Sequence, residues 1–351
     1  MNELDHGLAR MRECSFEYGA GLCNNGPMVS EALHALGHDV LTEAFLDVYL
    51  PRLQFLEVGQ PIPEAGQKEA LGNGLPEDWV VTFAPEHEAG AEWELLREKL
   101  PVFLAGYFAA AFHGPVRLAH AIRALEGLES AHRREEMVRG LAYWASRYQE
   151  LPGVPGCESE PGYGLEQIFK NLQPASLSEP HPLLVSQAVN ALENHTLFVP
   201  TIERADLREF EPSVFVSRLC SEAAHLYLKH PAHRLPYLFG LTGASALRSF
   251  LPYLNEETVE RGLGYALQGV LAVHCTYGES SQEFRPSADL LKLSESWDEM
   301  RYRAACSAQE HVIRLAEACW REDQICSEDV FRWVAADAIL ELGFSHGGRG
   351  G

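Results

Sequence analysis

Two imidazoles and a guanidinium are spaced along one short stretch, Ala111-Phe-His113-Gly-Pro115-Val-Arg117-Leu-Ala-His120-Ala-Ile-Arg-Ala-Leu125. Pro115 opens a helix where its missing N–H is harmless, and His113 sits at the cap. On that helix His113, Arg117, His120 and Ala124 share one face, with Val116, Leu118, Ile122 and Leu125 on the neighbouring faces. Such a stripe could bind a metal, orient an anionic or phenolate oxygen, or relay protons. A capping histidine and a salt-bridged surface stripe would satisfy the same spacing, so both readings stay open. A second group, Gln309-Glu310-His311-Val-Ile-Arg314, places an imidazole and a guanidinium three residues apart on one helical face. A third, Asn24-Asn25-Gly26-Pro27-Met28, joins a polar loop to a Pro-started helical run ending at Gly37. His274 and Cys275 fall near the end of a helix that also presents Tyr265 and Gln268, which suits either a pocket wall or plain core. His230 and His233 flank Pro231 in a loop, where a metal pair or a solvated turn would fit.

The elements that must position these groups are helical. Apolar residues recur at three- and four-residue spacing nearly throughout, which predicts an all-α fold in a single large domain over residues 1–345. The pattern predicts helices near 28–37, 40–57, 91–111, 114–127, 131–150, 181–196, 212–229, 235–252, 255–277, 286–320 and 327–343. Trp79-Val-Val-Thr-Phe83 is an isolated strand-like run. Segments 58–90 and 151–180, rich in Gly, Pro and acidic residues, read as long loops of the kind that cover pockets. Residues 346–351 read as a flexible Gly-rich tail.

Composition narrows the function. The 28 basic against 50 acidic residues give a formal charge of -22 over 351 residues, which repels nucleic-acid backbones and anionic membrane surfaces. Eight cysteines, at 14, 23, 157, 220, 275, 306, 319 and 326, form no C-x-x-C pair and read as reduced thiols. The absence of a signal-type segment or a long apolar run leads us to expect a cytoplasmic protein. There is no nucleophile elbow, zinc-protease motif, P-loop or dinucleotide fingerprint, so a nicotinamide or flavin cofactor bound by a doubly wound domain is not expected. Aromatic residues near the candidate helices, among them Trp93, Phe103, Tyr107, Phe108, Phe112 and Trp144, could line a cavity for a planar ligand or build an ordinary core.

Several of these segments, in order, resemble the questin oxidase-like proteins. Asn24–Met28 with the following Glu-Ala-Leu and Leu-Gly resembles the family's Asn-His-Gly-Pro-Met opening. His113-Gly-x-x-Arg117 followed by His120-Ala matches a second motif, and Leu141-Ala-Tyr-Trp-Ala145 a third. Tyr237–Arg248 and Gln309–Leu315 resemble two more, so the likeness spans residues 15 to 340. It implies a helical fold with a central buried pocket and oxidative chemistry on anthraquinone-like polyketides in secondary metabolism. It also implies, in some members, a non-heme iron held by histidines and a lysine-derived oxygen. Here three family positions differ: Asn25 and Phe239 stand where histidine is expected, and Arg314 where lysine is expected. An amide is a weak ligand, a phenyl ring offers nothing and a guanidinium repels a cation. His113, His120 and His311 remain as imidazoles that could hold a metal if they converge.

The expectation is therefore an oxidoreductase acting on a planar aromatic or polyketide-type small molecule. His113 and His311 are its catalytic candidates, and Asn25, Arg117, Phe239, His274 and Arg314 its substrate-binding candidates. With the metal lost, Arg314 would pair with an anionic substrate while His113 or His311 acts as base in cofactor-free oxygenation or a non-redox step. The rival reading is a catalytically silent relative that binds a small molecule or accompanies a partner enzyme.

Overall fold

The computed structural model describes residues 2–158, 162–172, 174, 184–278 and 281–343. Its helices follow in order: α1 (Glu3–Arg10), α2 (Gly26–Ala35), α3 (Thr42–Tyr49), α4 (Gln67–Ala70), α5 (Pro76–Thr82), α6 (Ala84–Glu88), α7 (Glu92–Phe103), α8 (His113–Gly127), α9 (Ala131–Ser146) and α10 (Leu165–Asn171). The chain continues through α11 (Val185–Ala188), α12 (Phe198–Glu203), α13 (Pro212–Lys229), α14 (Arg234–Ala246), α15 (Glu256–Tyr277), α16 (Ala288–Ser294), α17 (Trp297–Cys306), α18 (Glu310–Cys326) and α19 (Asp329–Glu341). A hairpin of two-residue strands, β1 (Glu17–Tyr18) and β2 (Leu22–Cys23), is the one sheet among the described residues. The all-α expectation holds, and the helices form a single compact domain. Among the described residues no helix is long and apolar enough to cross a membrane.

Local chemistry sets the boundaries. Asn2, Ser130, Asn255, Ser287 and Ser296 each accept a hydrogen bond from the backbone N–H three residues on, which caps α1, α9, α15, α16 and α17. The 286–320 run, expected as one helix, is three. Ser296 caps a new start within it, and Ala308, at φ 52°, turns the chain before α18.

The strand-like run Trp79–Phe83 is helical instead, forming most of α5. Pro76 starts that helix, and Trp79 and Phe83, one turn apart, bury their rings together at 5.5 Å. The alternation that suggested a strand is a short helical stripe. Segments 58–90 and 151–180 likewise carry α4 to α6 and α10 rather than loop alone. The expected 40–57 and 91–111 helices are shorter: α3 stops at Tyr49, ahead of Pro51, and α7 stops at Phe103. Helices α1 and α12 and the hairpin lay in stretches where no element was expected. The tail at 346–351 and residues 181–183 of the expected 181–196 helix lie outside the described residues.

Helices α2, α8, α14 and α18 pack on one another, with α9 against α8 and with α13 and α15 against α14. The main apolar core runs through all of them except α2, whose inner face, apart from Met28, closes a smaller core with α1 and α3. Between α7 and α8 the backbone makes a left-handed turn, with positive φ at Ala110, Ala111 and Phe112. Phe112 is fully buried, its ring wedged between α14 and α15. A Cβ on Gly243 would stand 2.5 Å from its Cγ, and one on Gly269 2.5 Å from its Cε1. These two glycines let the wedge in. Gly243→Ala or Gly269→Ala should therefore overpack the site and cost about 1–3 kcal/mol, read as a lower midpoint in denaturant melts. An unchanged midpoint would show that the wedge yields freely.

Candidate functional site

Three helices begin at one cavity. Asn25 is the residue before α2, His113 the first residue of α8, and Glu310 and His311 the first two of α18. None of the three N-cap residues bonds its own helix through its side chain, although Asn24 Oδ1 accepts from the Gly26 N–H at 3.0 Å, and the residues at the starts of all three helices line the same space. The cavity is about 380 Å³. Its polar lining is Tyr18, Asn25, His113, Tyr143, Ser186, His233, Tyr277, Glu310 and His311. Leu22, Ala110, Ala111, Leu184, Val185, Leu235, Pro236 and Phe239 make most of its wall. Apolar walls with a few convergent polar groups are the usual form of a small-molecule site.

The polar groups are held tightly. Asn25 does not cap its own helix. Its Nδ2 donates to Glu310 Oε1 at 3.1 Å, its Oδ1 accepts from Arg314 Nη1, and its backbone N–H donates to Tyr49 Oη at 2.7 Å. Tyr18 Oη lies 3.4 Å from the same Glu310 oxygen. His113 Nδ1 donates to the Ala110 carbonyl at 2.8 Å, a bond that the left-handed turn makes possible. The Phe239 ring stands between the two imidazoles, with centroids 4.7 Å from His113 and 5.4 Å from His311 and both contacts edge-on at 69°. Buried Glu310 Oε2, His311 Nδ1 and Arg314 Nε have no hydrogen-bond partner.

Electrostatics keep both imidazoles neutral. Burial, then the Arg314 charge, pushes His311 down to about 3. Burial, Arg314 and His311 push His113 well below its ordinary value. Burial raises the Glu310 carboxyl, against the pull of the Asn25 amide and the Arg314 charge. Cys23, in the same wall, is pushed by burial up to about 11 and stays a thiol.

The structure thus brings together Asn25, His113, Phe239 and His311 on the cavity and places Arg314 directly behind Asn25. It sets the other three candidates elsewhere. Arg117 is buried in a two-point ion pair with Glu136, at 2.7 and 3.1 Å, and lies over the Phe16 ring at 4.8 Å. His274 packs beside His230, Tyr237 and Phe169, outside the cavity wall. His120 bonds to Glu31. The stripe read from the sequence is real, but seven residues carry it about 10.5 Å along the axis, so His113 and His120 end in different places. The set His113, His120 and His311 consequently does not converge on one point.

The group that does converge is Glu31, His120 and Glu317, whose ligand atoms lie within 4.8 Å of one another and which could hold a metal. Arg123 already reaches into it: its Nη2 is 2.9 Å from Glu31, 2.8 Å from His120 Nδ1 and 3.4 Å from Glu317. An ion there would have to displace that guanidinium. Nor do the cavity residues fit the iron that the family resemblance implies. Phe239 fills the space between the two imidazoles, and the Asn25 oxygen is taken by a cation.

Neither the models of known protein families nor the curated proteins contain a match to this chain. The site must be read from its own chemistry. Glu310, Tyr18, Tyr143 and Cys23 had no role assigned from the sequence, and His233, read there as one of a loop pair with His230, lies on the cavity wall. The signal for Glu310 was its place beside His311 at the start of a helix; the tyrosines carried none.

Two expectations follow. Left-handed backbone costs about 1–2 kcal/mol per non-glycine residue, and glycine loses about 0.5–1 kcal/mol of that gain to chain entropy. Ala111→Gly should therefore raise stability by up to about 1 kcal/mol in denaturant melts; a loss would mean the turn is unstrained. For Glu31, burial pushes the carboxyl up but Arg123 and His120 together pull it below its ordinary 4.5. A depressed carboxylate stabilises the fold fully above its unfolded value, and that contribution is lost as pH falls below about 4.5. Glu31→Gln should cost about 3 kcal/mol at neutral pH by leaving Arg123 poorly paired. The gap between wild type and variant should narrow in melts repeated below pH 4.5.

Proposed function

We propose that the cavity is the active site of an enzyme that binds a planar, hydroxylated aromatic small molecule and takes a proton from it, with His113 or His311 as the base. One observation carries this reading. Two imidazoles kept neutral by burial and by Arg314 flank a phenyl ring in a cavity whose wall is mostly apolar. A neutral imidazole has a lone pair free to take a proton; burial and the Arg314 charge weaken it as a base, and the anion formed beside it must offset that by stabilising the imidazolium. The negative charge left on the ligand would meet three positive helix ends, with the fixed charge of Arg314 behind Asn25.

Oxidation by dioxygen is the step that the resemblance to the questin oxidase-like proteins implies, and a phenolate is electron-rich enough to react with it. In this chain we propose that step without iron: the phenolate passes one electron to dioxygen, and the resulting radical pair recombines through a new C–O bond to give a peroxide on the ring. A second reading, a silent relative that only binds the aromatic molecule, is favoured by Phe239, which stands where a catalytic imidazole was expected.

Oxygen consumption with a hydroxyanthraquinone separates the two readings. The enzyme reading expects uptake by the wild type and a loss of about 10²–10⁴-fold in His113→Ala or His311→Ala, with melting temperatures retained. Ligand-dependent thermal stabilisation without uptake would leave the binding reading. Elemental analysis of protein purified without chelator should find no stoichiometric iron. Near-stoichiometric iron that disappears in both variants would overturn the metal-free reading.

A further inference from the structure

We infer that two of the three cavity imidazoles are fixed in opposite tautomers, His113 as a hydrogen-bond acceptor and His311 as a donor, with Glu310 as the residue that positions His311. The inference rests on the cavity being the active site, as proposed above, and divides the work within it.

For His113 the argument is one of valence. Its Nδ1 faces the Ala110 carbonyl at 2.8 Å, and a carbonyl can only accept. A neutral ring must then carry its hydrogen on Nδ1, which leaves Nε2 a lone pair. His311 is placed the other way round. Its Nδ1 is enclosed without a partner, while its Nε2 lies 3.7 Å from Glu310 Oε1. A buried N–H without an acceptor is rarer and costlier than a buried lone pair without a donor. The hydrogen therefore belongs on Nε2, facing the carboxylate. Such contacts are often long until a ligand is bound, and then close. Glu310 is itself fixed by Asn25 Nδ2 and Tyr18 Oη, with Arg52 and Arg314 the nearest cations.

The consequence is a demand on the ligand. It must offer an O–H to His113 Nε2 and an acceptor oxygen that shares the one His311 N–H with Glu310 Oε1, 3.7 Å away, which a hydroxyl next to a carbonyl on one edge of an aromatic ring supplies. In the proton transfer the ligand O–H bond breaks and an N–H bond forms at His113 Nε2. The electron pair stays on the ligand, delocalised towards the carbonyl oxygen to which His311 donates. No electron leaves the ligand in this step. Glu310 touches no reacting atom; it acts through His311.

The tautomers can be read without any substrate, from nitrogen chemical shifts of protein carrying ¹⁵N-labelled histidine. The wild type should show His113 protonated on Nδ1 and His311 on Nε2. Glu310→Leu should leave His113 as it is and mix the tautomers of His311, and Glu310→Gln, which keeps an acceptor oxygen, should restore the preference. A wild-type His311 protonated on Nδ1 overturns the assignment, whether or not the leucine variant folds. Binding then tests the ligand demand with two probes, 1-hydroxyanthraquinone and 1-methoxyanthraquinone. The wild type should prefer the hydroxyl form by at least about tenfold, and His113→Ala should lose that preference. Equal binding of the two probes overturns the acceptor role of His113. If neither binds, the proposed reading of the cavity fails, while the chemical shifts still decide the tautomers.

Discussion

Arg314 is a guanidinium almost wholly enclosed, 1% exposed, whose one hydrogen-bond acceptor is the neutral amide oxygen of Asn25. Most buried arginines of this protein meet a carboxylate: Arg117 meets Glu136, Arg133 meets Asp5, and Arg123 meets Glu31. Among the described residues no carboxylate bonds to Arg314, and only the more distant charges of Glu310 and Glu317 offset its burial, which is costly to maintain. That weakly compensated charge helps keep His113 and His311 unprotonated. It also fixes the Asn25 amide, which holds Glu310, and it makes the cavity hostile to a second cation. One residue thus sets the protonation, the geometry and the ligand chemistry of the site.

Holding such a group in place requires a rigid surround, and the fold supplies it by separating two kinds of contact. The wedge of Phe112 between α14 and α15 is purely apolar and pins the start of α8, where His113 must point into the cavity. The ion pairs lie behind the cavity, along α2, α8, α9 and α18, where Glu31, Arg123, Glu317 and Arg321 form one connected network. That network fastens α2 and α8 to α18 without placing its own charges in the cavity wall. The left-handed turn at Ala110–Phe112 links the two kinds of contact. It turns a carbonyl back onto His113 while it aims the phenyl ring into the core, and strain of this sort persists where the surroundings determine the backbone fully.

Much of this was legible from residue spacing. Helix α13 runs from Pro212 to Lys229 as the periodicity predicts, and α8, α15 and α19 fall within a few residues of their expected limits, whereas α14 starts as expected and stops at Ala246, well short of 252. The misses have physical causes. Trp79 and Phe83 are four apart, which a five-residue window cannot distinguish from a short apolar strand. The break at Ala308 depends on a backbone angle that no residue type announces. At the site, the pairing of His113 with His311 was visible only as two separate motifs, since some two hundred residues divide them. The shared face of His113, Arg117 and His120 was read correctly as a stripe, but a stripe two turns long passes from a cavity at one end to an ion network at the other. Periodicity reports direction around a helix; it carries no information about which end meets which neighbour.

The three departures at Asn25, Phe239 and Arg314 are better understood as one coupled change than as three losses. Arg314 Nη1 needs an acceptor, which the Asn25 oxygen supplies. The other end of the same amide is a donor, and it holds Glu310. An imidazole at position 25 could satisfy both groups only with a lone pair on one nitrogen and a hydrogen on the other, each aligned with a partner that the shorter asparagine already reaches. Position 239 follows from the same charge. A third imidazole between His113 and His311 would be a further polar ring to satisfy beside a buried cation, whereas a phenyl ring fills the volume and presents its edges with no hydrogen-bonding demand. Given arginine at 314, an amide at 25 and a phenyl at 239 are the least costly neighbours, and together they favour the reading of the cavity proposed above over the iron site that the resemblance implies.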